Sequence, residues 1–224
     1  MATATFNMYD ESVEIPENVG DLASFRDWFH SDDFPEHGRI CFLQGNVWVD
    51  MSKEQLFTHN QVRTELTIVV GGIVRSERLG RFFSDGSLLT NSDADVSTQP
   101  DGTFVSRESL KSDRVRLIPG KAGGFVELEG SPDMVVEIVS DSSVRKDTVT
   151  LKAAYAEAGV REYWLIDARE EKIRFDIFRN IDGQFANVKK QAGWLRSPVF
   201  GKAFRLVCVD DDRGNPEYRL EVRE

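Results

Sequence analysis

Two acidic residues stand where a carboxylate is expensive unless something offsets its charge. Asp101 follows Pro100 at the start of a strand-like segment, and Glu137 interrupts the apolar run Met134-Val-Val-Glu-Ile-Val139. A lone buried carboxylate costs on the order of several kcal/mol unless it is paired, hydrogen-bonded, protonated or bound to a metal. A neighbouring Arg or Lys is the ordinary partner for Glu137; a shared metal ion is the alternative. A second Pro-Asp, Pro132-Asp133, precedes Glu137 on the same run. At about 3.3 Å rise per residue, however, Asp133 and Glu137 on one strand lie roughly 13 Å apart, whereas adjacent strands are about 4.8 Å apart. Asp101 on a neighbouring strand could therefore share a metal with Glu137, and Asp133 could not. Two hard carboxylates completed by waters and a substrate phosphate suit Mg²⁺, which rarely takes an all-protein cage.

Other chemistry is weaker. His30, His37 and His59 are scattered and show no ligand spacing with Cys41 or Cys208, which argues against a zinc centre. His59 reads as a helix-side hydrogen-bonding group. The cysteines, in apolar strand-like contexts without CxxC spacing, read as buried thiols in a reducing compartment. No GxGxxG, Walker loop or GxSxG elbow is present. Trp28, Trp48, Trp164 and Trp194 read as core residues ahead of base-stacking platforms.

The elements that must position the acids follow from periodicity. Leu22, Phe25 and Phe29 predict a helix over 21–30. Two strands, 39–44 and 47–51, flank Gly45-Asn46 as a hairpin. Ser52 with Gln55 resembles a capping box ahead of the best helix, which keeps Val62, Leu66, Val69 and Ile73 on one face to about residue 78. Gly71-Gly72 weakens it, so close packing on a sheet is expected there. Strands are predicted at 81–84 and 102–106 around a loop at 90–99, then at 115–118, 124–129 and 134–139. A helix capped by Ser142 or Ser143 runs to Glu157 and closes at Gly159. Strands at 163–166, 173–179, 185–190 and 218–222 complete the order, a mixed α+β or α/β sandwich.

The chain has 224 residues, 40% hydrophobic and 29% charged, which excludes disorder and predicts one compact domain with decorated ends. Its longest apolar run, Ile68 to Val74, is far short of the roughly 20 residues that span a bilayer. The first 25 residues carry acids but no Lys or Arg, so neither export nor membrane partners are expected and the cytoplasm is the expected location. With 28 basic against 38 acidic residues the net charge is −10, which opposes tight non-specific nucleic-acid binding. A local cluster, Arg107, Lys111, Arg114, Arg116 and Lys121, lies between the two acids along the chain.

Pro100-Asp101, Pro132 to Ser140, Ser142-Ser143, Asp147, Tyr155, Ala158-Gly159-Val160 and Glu162 to Asp167 together resemble the signature of the Uma-two restriction-endonuclease-like proteins, within the PD-(D/E)XK nuclease superfamily. More loosely, Met51-Ser52 and His59 are similar to that family's opening helix. The resemblance implies a restriction-endonuclease-like core over 39–209, a central mixed β-sheet flanked by helices, with an N-terminal arm and helix (1–38) and a C-terminal tail strand (210–224). It implies Asp101 and Glu137 as ligands for Mg²⁺ or Mn²⁺, with Glu65 on the long helix as a third acid or water holder. The catalytic lysine departs from the pattern. Val139 stands two residues after the second acid, and Leu151 stands one turn before the tyrosine. Lys146 and Lys152 are the substitutes; a one-place slip turns Lys152 off the sheet-facing side, which favours Lys146. The implied activity is Mg²⁺-dependent hydrolysis of DNA phosphodiesters, with DNA and a second copy of the chain, as a homodimer, for partners. The alternative is a catalytically degenerate nuclease fold acting as a protein interaction module.

Overall fold

The computed structural model describes residues 5–8, 11–35, 38–121 and 123–224; His37 and part of the N-terminal arm lie outside them. The arm, which has no sequence period, contains the hairpin β1 (Thr5–Met8) and β2 (Glu11–Glu14). Helix α1 (Leu22–Phe29) is capped by Asp21 and Ser24 in reciprocal bonds. Strands β3 (Arg39–Leu43) and β4 (Asn46–Asp50) form the expected hairpin, with its turn one residue earlier than predicted. Gln44 and Gly45 both have positive φ, the geometry a two-residue hairpin loop demands.

A wide π-helical turn (Leu56–Gln61) leads into α2 (Val62–Ser76). Its cap is Gln55, whose side chain accepts from Phe57 and Thr58 N–H; Ser52 takes no part and bonds Asp50 and Ser142 instead. Then come β5 (Gly80–Ser84), β6 (Leu88–Asn91), β7 (Val96–Thr98), β8 (Gly102–Ser106), α3 (Arg107–Lys111), β9 (Val115–Pro119), β10 (Phe125–Gly130) and β11 (Met134–Ile138). A second π-helical turn (Lys146–Leu151) opens α4 (Lys152–Glu157), which ends at Gly159 in the left-handed region. The chain closes with β12 (Glu162–Asp167), β13 (Arg174–Ile181), β14 (Gln184–Asn187), β15 (Leu195–Arg196), β16 (Ala203–Asp210) and β17 (Pro216–Arg223).

The central sheet has the order β14-β13-β12-β11-β8-β5, with β11 and β12 parallel and every other pair antiparallel. A second sheet, β4-β3-β7-β6-β10-β9, and a three-stranded sheet, β15-β16-β17, complete the expected mixed architecture. Alternation along β11 assigns the two faces of the central sheet. Met134, Val136 and Ile138 pack into a core with α2 and the C-terminal strands, and Val135 and Val139 into a core with α4 and the second sheet. Glu137 shares the second face.

Two strands, β6 and β7, occupy the segment predicted as a loop. Their polar side chains suggest exposure, but Thr90 and Ser97 are buried and bond each other at 2.8 Å across the pair, which removes the cost. The eight-residue β16 also escaped the pattern, and the exposed Cys208 on it corrects the expectation of a buried thiol; Cys41 is buried. Among the described residues no helix is long and apolar enough to cross a membrane.

Gly71-Gly72 does not meet the expected close approach: a Cβ at Gly71 would sit at ordinary contact, 3.8 Å from Phe82, and one at Gly72 would meet nothing. Gly80 is the constrained glycine, since a Cβ there would come within 2.0 Å of the Val105 carbonyl oxygen. Gly72→Ala should therefore stabilise the protein by about 0.5–1 kcal/mol, and Gly80→Ala should destabilise it by about 1–3 kcal/mol. Urea unfolding of both variants checks this; equal midpoints would refute it.

Candidate active site

Antiparallel pairing of β8 with β11 aligns Gly102 with Val136, so Asp101 falls opposite Glu137 at the strand ends. The backbone N–H of Ile138 donates to Asp101 Oδ2 at 2.7 Å. Both acids are 2% exposed. Asp133, at the other end of β11, accepts from Ser106 N–H and Arg161, each at 2.7 Å, and is structural.

The two carboxylates have opposite surroundings. Arg39 on β3 donates to Asp101 Oδ1 at 2.9 Å, His59 Nε2 lies 3.4 Å from Oδ2, and Arg63 reaches within 3.9 Å. Burial opposes ionisation of Asp101, but the His59 hydrogen bond, the Arg39 and His59 charges and the Ile138 N–H together hold its pKa down at about 2. Around Glu137 the balance reverses. Burial, then the charges of Asp147 and Asp101, push its pKa well above the usual carboxylate range despite Lys146 and the Tyr155 hydroxyl, which donates to Oε1 at 2.5 Å. Glu137 therefore ionises at a higher pH than Asp101.

The helical turns supply the rest. The π turn before α2 sets His59 under the sheet, and Arg63 follows one turn later on the same face. His59 Nδ1 lies 2.9 Å from Glu54 Oε1, out of line for a hydrogen bond. Burial lowers the imidazole pKa, but Asp101 and Glu54 more than reverse this, so it is raised. Arg39 and Arg63 also share Asp85 and Glu54, so these ion pairs form one network over Asp101. On the other side, Asp147 accepts from Ser143 Oγ through Oδ2, while its buried Oδ1 has no hydrogen-bond donor and lies 3.7 Å from Lys146 Nζ. Burial pushes Asp147 up to about 6 against the pull of Lys146 and Ser143. Lys146 is itself buried, yet Glu137 and Asp147 outweigh that and raise its pKa, so it stays an ammonium.

Of the sequence candidates, Asp101 and Glu137 lie side by side, and Lys146 meets Asp147 at 3.7 Å with neither Asp101 nor Glu137 within ion-pair distance of it. Lys152 does not join them: its ammonium lies 3.7 Å over the Phe178 ring. Glu65 is also elsewhere, accepting from the Leu220 N–H of β17 at 2.8 Å, because its helix face looks toward the C-terminal sheet. The basic cluster is dispersed on the outer edge strand β9 and its flanks. Arg114 bonds the Gly159 carbonyl, Arg116 pairs with Glu129 at 2.7 Å and Lys121 with Asp32 at 3.6 Å. Arg39, Glu54, Arg63 and Asp85 had no role in the sequence reading of the site, and Asp147 and Tyr155 entered it only as signature positions. The His59-Arg63 spacing was the available signal for a shared helix face.

A cleft of about 660 Å³ opens beside Asp101, lined in part by Arg39, Asp50, Glu54, His59, Asp85 and Ser140. The two acids lie beneath this lining. Among the described residues no three His, Cys, Asp or Glu donors converge on a common point. The buried Asp147 Oδ1 nevertheless lacks a hydrogen-bond donor. The hard oxygen donors fit a divalent cation held by two carboxylates plus water and substrate, the Mg²⁺ habit.

A family model described as "Putative restriction endonuclease" matches residues 23–206. Among solved structures, the chain resembles "a putative nuclease belonging to DUF820" from Anabaena variabilis at a TM-score of 0.60 and 18% identity, over 81% of this chain and 90% of that one. No curated protein matches.

The raised pKa of Asp147 has a sign that can be measured. The folded state holds this proton more tightly than the unfolded chain, so its contribution is present below about pH 4 and lost as pH rises through about 6. In metal-free buffer, Asp147→Asn should leave the melting temperature near that of the wild type at pH 4 and raise it progressively between pH 4 and 6. A difference that does not change with pH would refute the assignment.

Proposed function

Because the chain belongs to the Uma-two family of restriction-endonuclease-like proteins, we propose that it is a Mg²⁺-dependent endonuclease that hydrolyses DNA phosphodiester bonds. The observation that carries this reading is the buried acid pair on adjacent strands, Asp101 held by Arg39 and the Ile138 N–H and Glu137 by the Tyr155 hydroxyl, with Lys146 paired to Asp147. Asp101 and Glu137 would hold Mg²⁺ or Mn²⁺. When bound, that ion lowers the pKa of water and offsets charge developing on the phosphorus centre. Glu137 must release its proton to serve as a ligand, so activity should rise with pH until it does. Tyr155 holds Glu137 Oε1 and keeps the side chain aimed along the strand end. Lys146, charged and beside Asp147, would orient the attacking water or a phosphate oxygen. Arg39 and His59 face the cleft and supply positive charge to the scissile phosphate.

A second reading rests on one contact. Arg39 already neutralises Asp101 at 2.9 Å, and Leu151 occupies the helix position where the family carries lysine. A degenerate site serving as a protein interaction module would keep that ion pair permanently.

Cleavage of plasmid and oligonucleotide DNA with Mg²⁺ or Mn²⁺ separates the two readings. Glu137→Gln, Asp101→Asn and Lys146→Met should each reduce turnover by about 100-fold or more, while Lys152→Met stays within about twofold of the wild type. Either metal at about 100 times its dissociation constant should add about 2.7 kcal/mol of stability, and Asp101→Ala with Glu137→Ala should abolish that gain. Wild-type protein with neither cleavage nor metal-dependent melting would favour the interaction module.

A further inference from the structure

A pocket of about 700 Å³ lies between β13, β14 and the β15-β16-β17 sheet. Its wall carries Arg179, Lys189, Arg196 and Arg223 around Trp194, and Glu224 is the single acid among its lining residues. Arg179 pairs with Glu162, and Glu137 with Leu165. The two places are thus three residues apart along the strands and two strands apart across the sheet, roughly 10 Å in each direction. They also face opposite sides, because Arg179 alternates with Phe178 of the Glu137-side core. The pocket is separate from the acidic site.

Neighbouring cations are satisfied: Lys190 pairs with Asp176, Lys202 with Glu224, Arg205 with Glu221 and Arg219 with Glu217. Among the described residues, Arg179, Lys189, Arg196 and Arg223 form no ion pair. Glu224 is engaged by Lys202 at 2.5 Å and also feels the Arg196 charge, so one shared acid faces the four cations. The arrangement is braced. Gln191 and Trp194 exchange backbone hydrogen bonds of 2.9 and 3.0 Å across Ala192 and Gly193, both at positive φ, a tight turn that fixes the indole. The Arg223 and Arg205 guanidiniums stand 4.3 and 4.7 Å over that ring. Stacking orients the Arg223 plane and leaves its N–H edge for a ligand, and it occupies the indole face that a base would otherwise use.

Four cations gathered without an ion pair, one of them stacked on Trp194, mutually repel unless an anion joins them. We propose that this pocket is a second, non-catalytic site that binds the backbone phosphates of a nucleic-acid strand. Its contacts are to phosphate and not to bases, so recognition is independent of sequence and sensitive to salt. The choice of a polymer over a small phosphate ester rests on the nuclease reading; the charge argument does not.

The test is fluorescence anisotropy with labelled single- and double-stranded oligonucleotides, using full-length Glu137→Gln protein in EDTA so that cleavage plays no part. Lys189→Glu with Arg196→Glu, both exposed, should weaken binding at low salt by about tenfold or more. The same pair should flatten the slope of log affinity against log salt by about 2, at roughly 0.9 per phosphate contact in duplex DNA. A matched pair on β9 and its turn, Arg116→Glu with Lys121→Glu, should change affinity less than about twofold. Equal losses from the two pairs, or no binding at low salt, would overturn the proposal. So would a mononucleotide that competes as well as the oligonucleotide at equal phosphate concentration, since the site would then serve small phosphate esters. Binding with this pattern, but no metal-dependent cleavage by the wild-type protein, would remove the nuclease reading and leave the pocket assigned.

Discussion

Burying Asp101 and Glu137 at the ends of adjacent strands is the constraint around which the rest of the site is arranged. Each carboxylate raises the cost of ionising the other. The fold meets this by treating them differently. Asp101 takes the Ile138 N–H and the positive belt of Arg39, His59 and Arg63, and stays charged. Glu137 has Asp147 and Asp101 as neighbours, with one lysine and one tyrosine to compensate, and keeps its proton. The asymmetry follows from which sheet lies overhead: β3 of the second sheet brings Arg39 over Asp101, while the turn before α4 brings Lys146 and Asp147 together beside Glu137.

Both helices that serve the site begin with π-helical turns, Leu56–Gln61 and Lys146–Leu151. Such turns take more residues per revolution than an α-helix and recur at functional sites. They place His59 3.4 Å from Asp101 and Lys146 3.7 Å from Asp147. They also separate the two lysines. Lys152 begins the regular helix and turns onto Phe178, whereas Lys146 enters from the start of the wide turn.

Charge is distributed against the direction that chain order suggests. The cations between Asp101 and Glu137 in sequence are carried away by α3 and the edge strand β9, and they end on local partners such as Glu129 and Asp32. Four cations that form no ion pair gather from β13, β15, β17 and the segment after β14, far apart in sequence. The central sheet thus separates the buried acids from a basic pocket.

Much of this was legible from residue types alone. An acid inside the apolar run at 134–139 had to be compensated, and strand spacing pointed to Asp101 and away from Asp133. The helix over α2, the hairpin at β3-β4 and the strands β8, β11 and β12 follow from period and turn residues, because their side chains alternate between burial and exposure or are buried throughout. Tertiary structure decided the remainder. Strands β6 and β7 carry polar side chains that make sense only once Thr90 meets Ser97, and β16 is held by pairing with β17. Glu65 and Glu54 are both acids near one helix, yet Glu65 meets the β17 backbone and Glu54 meets His59 and Arg63. No local pattern separates them, because a carboxylate's role depends on which cations a distant strand brings to it, and Arg39 reaches Asp101 across 62 positions of chain.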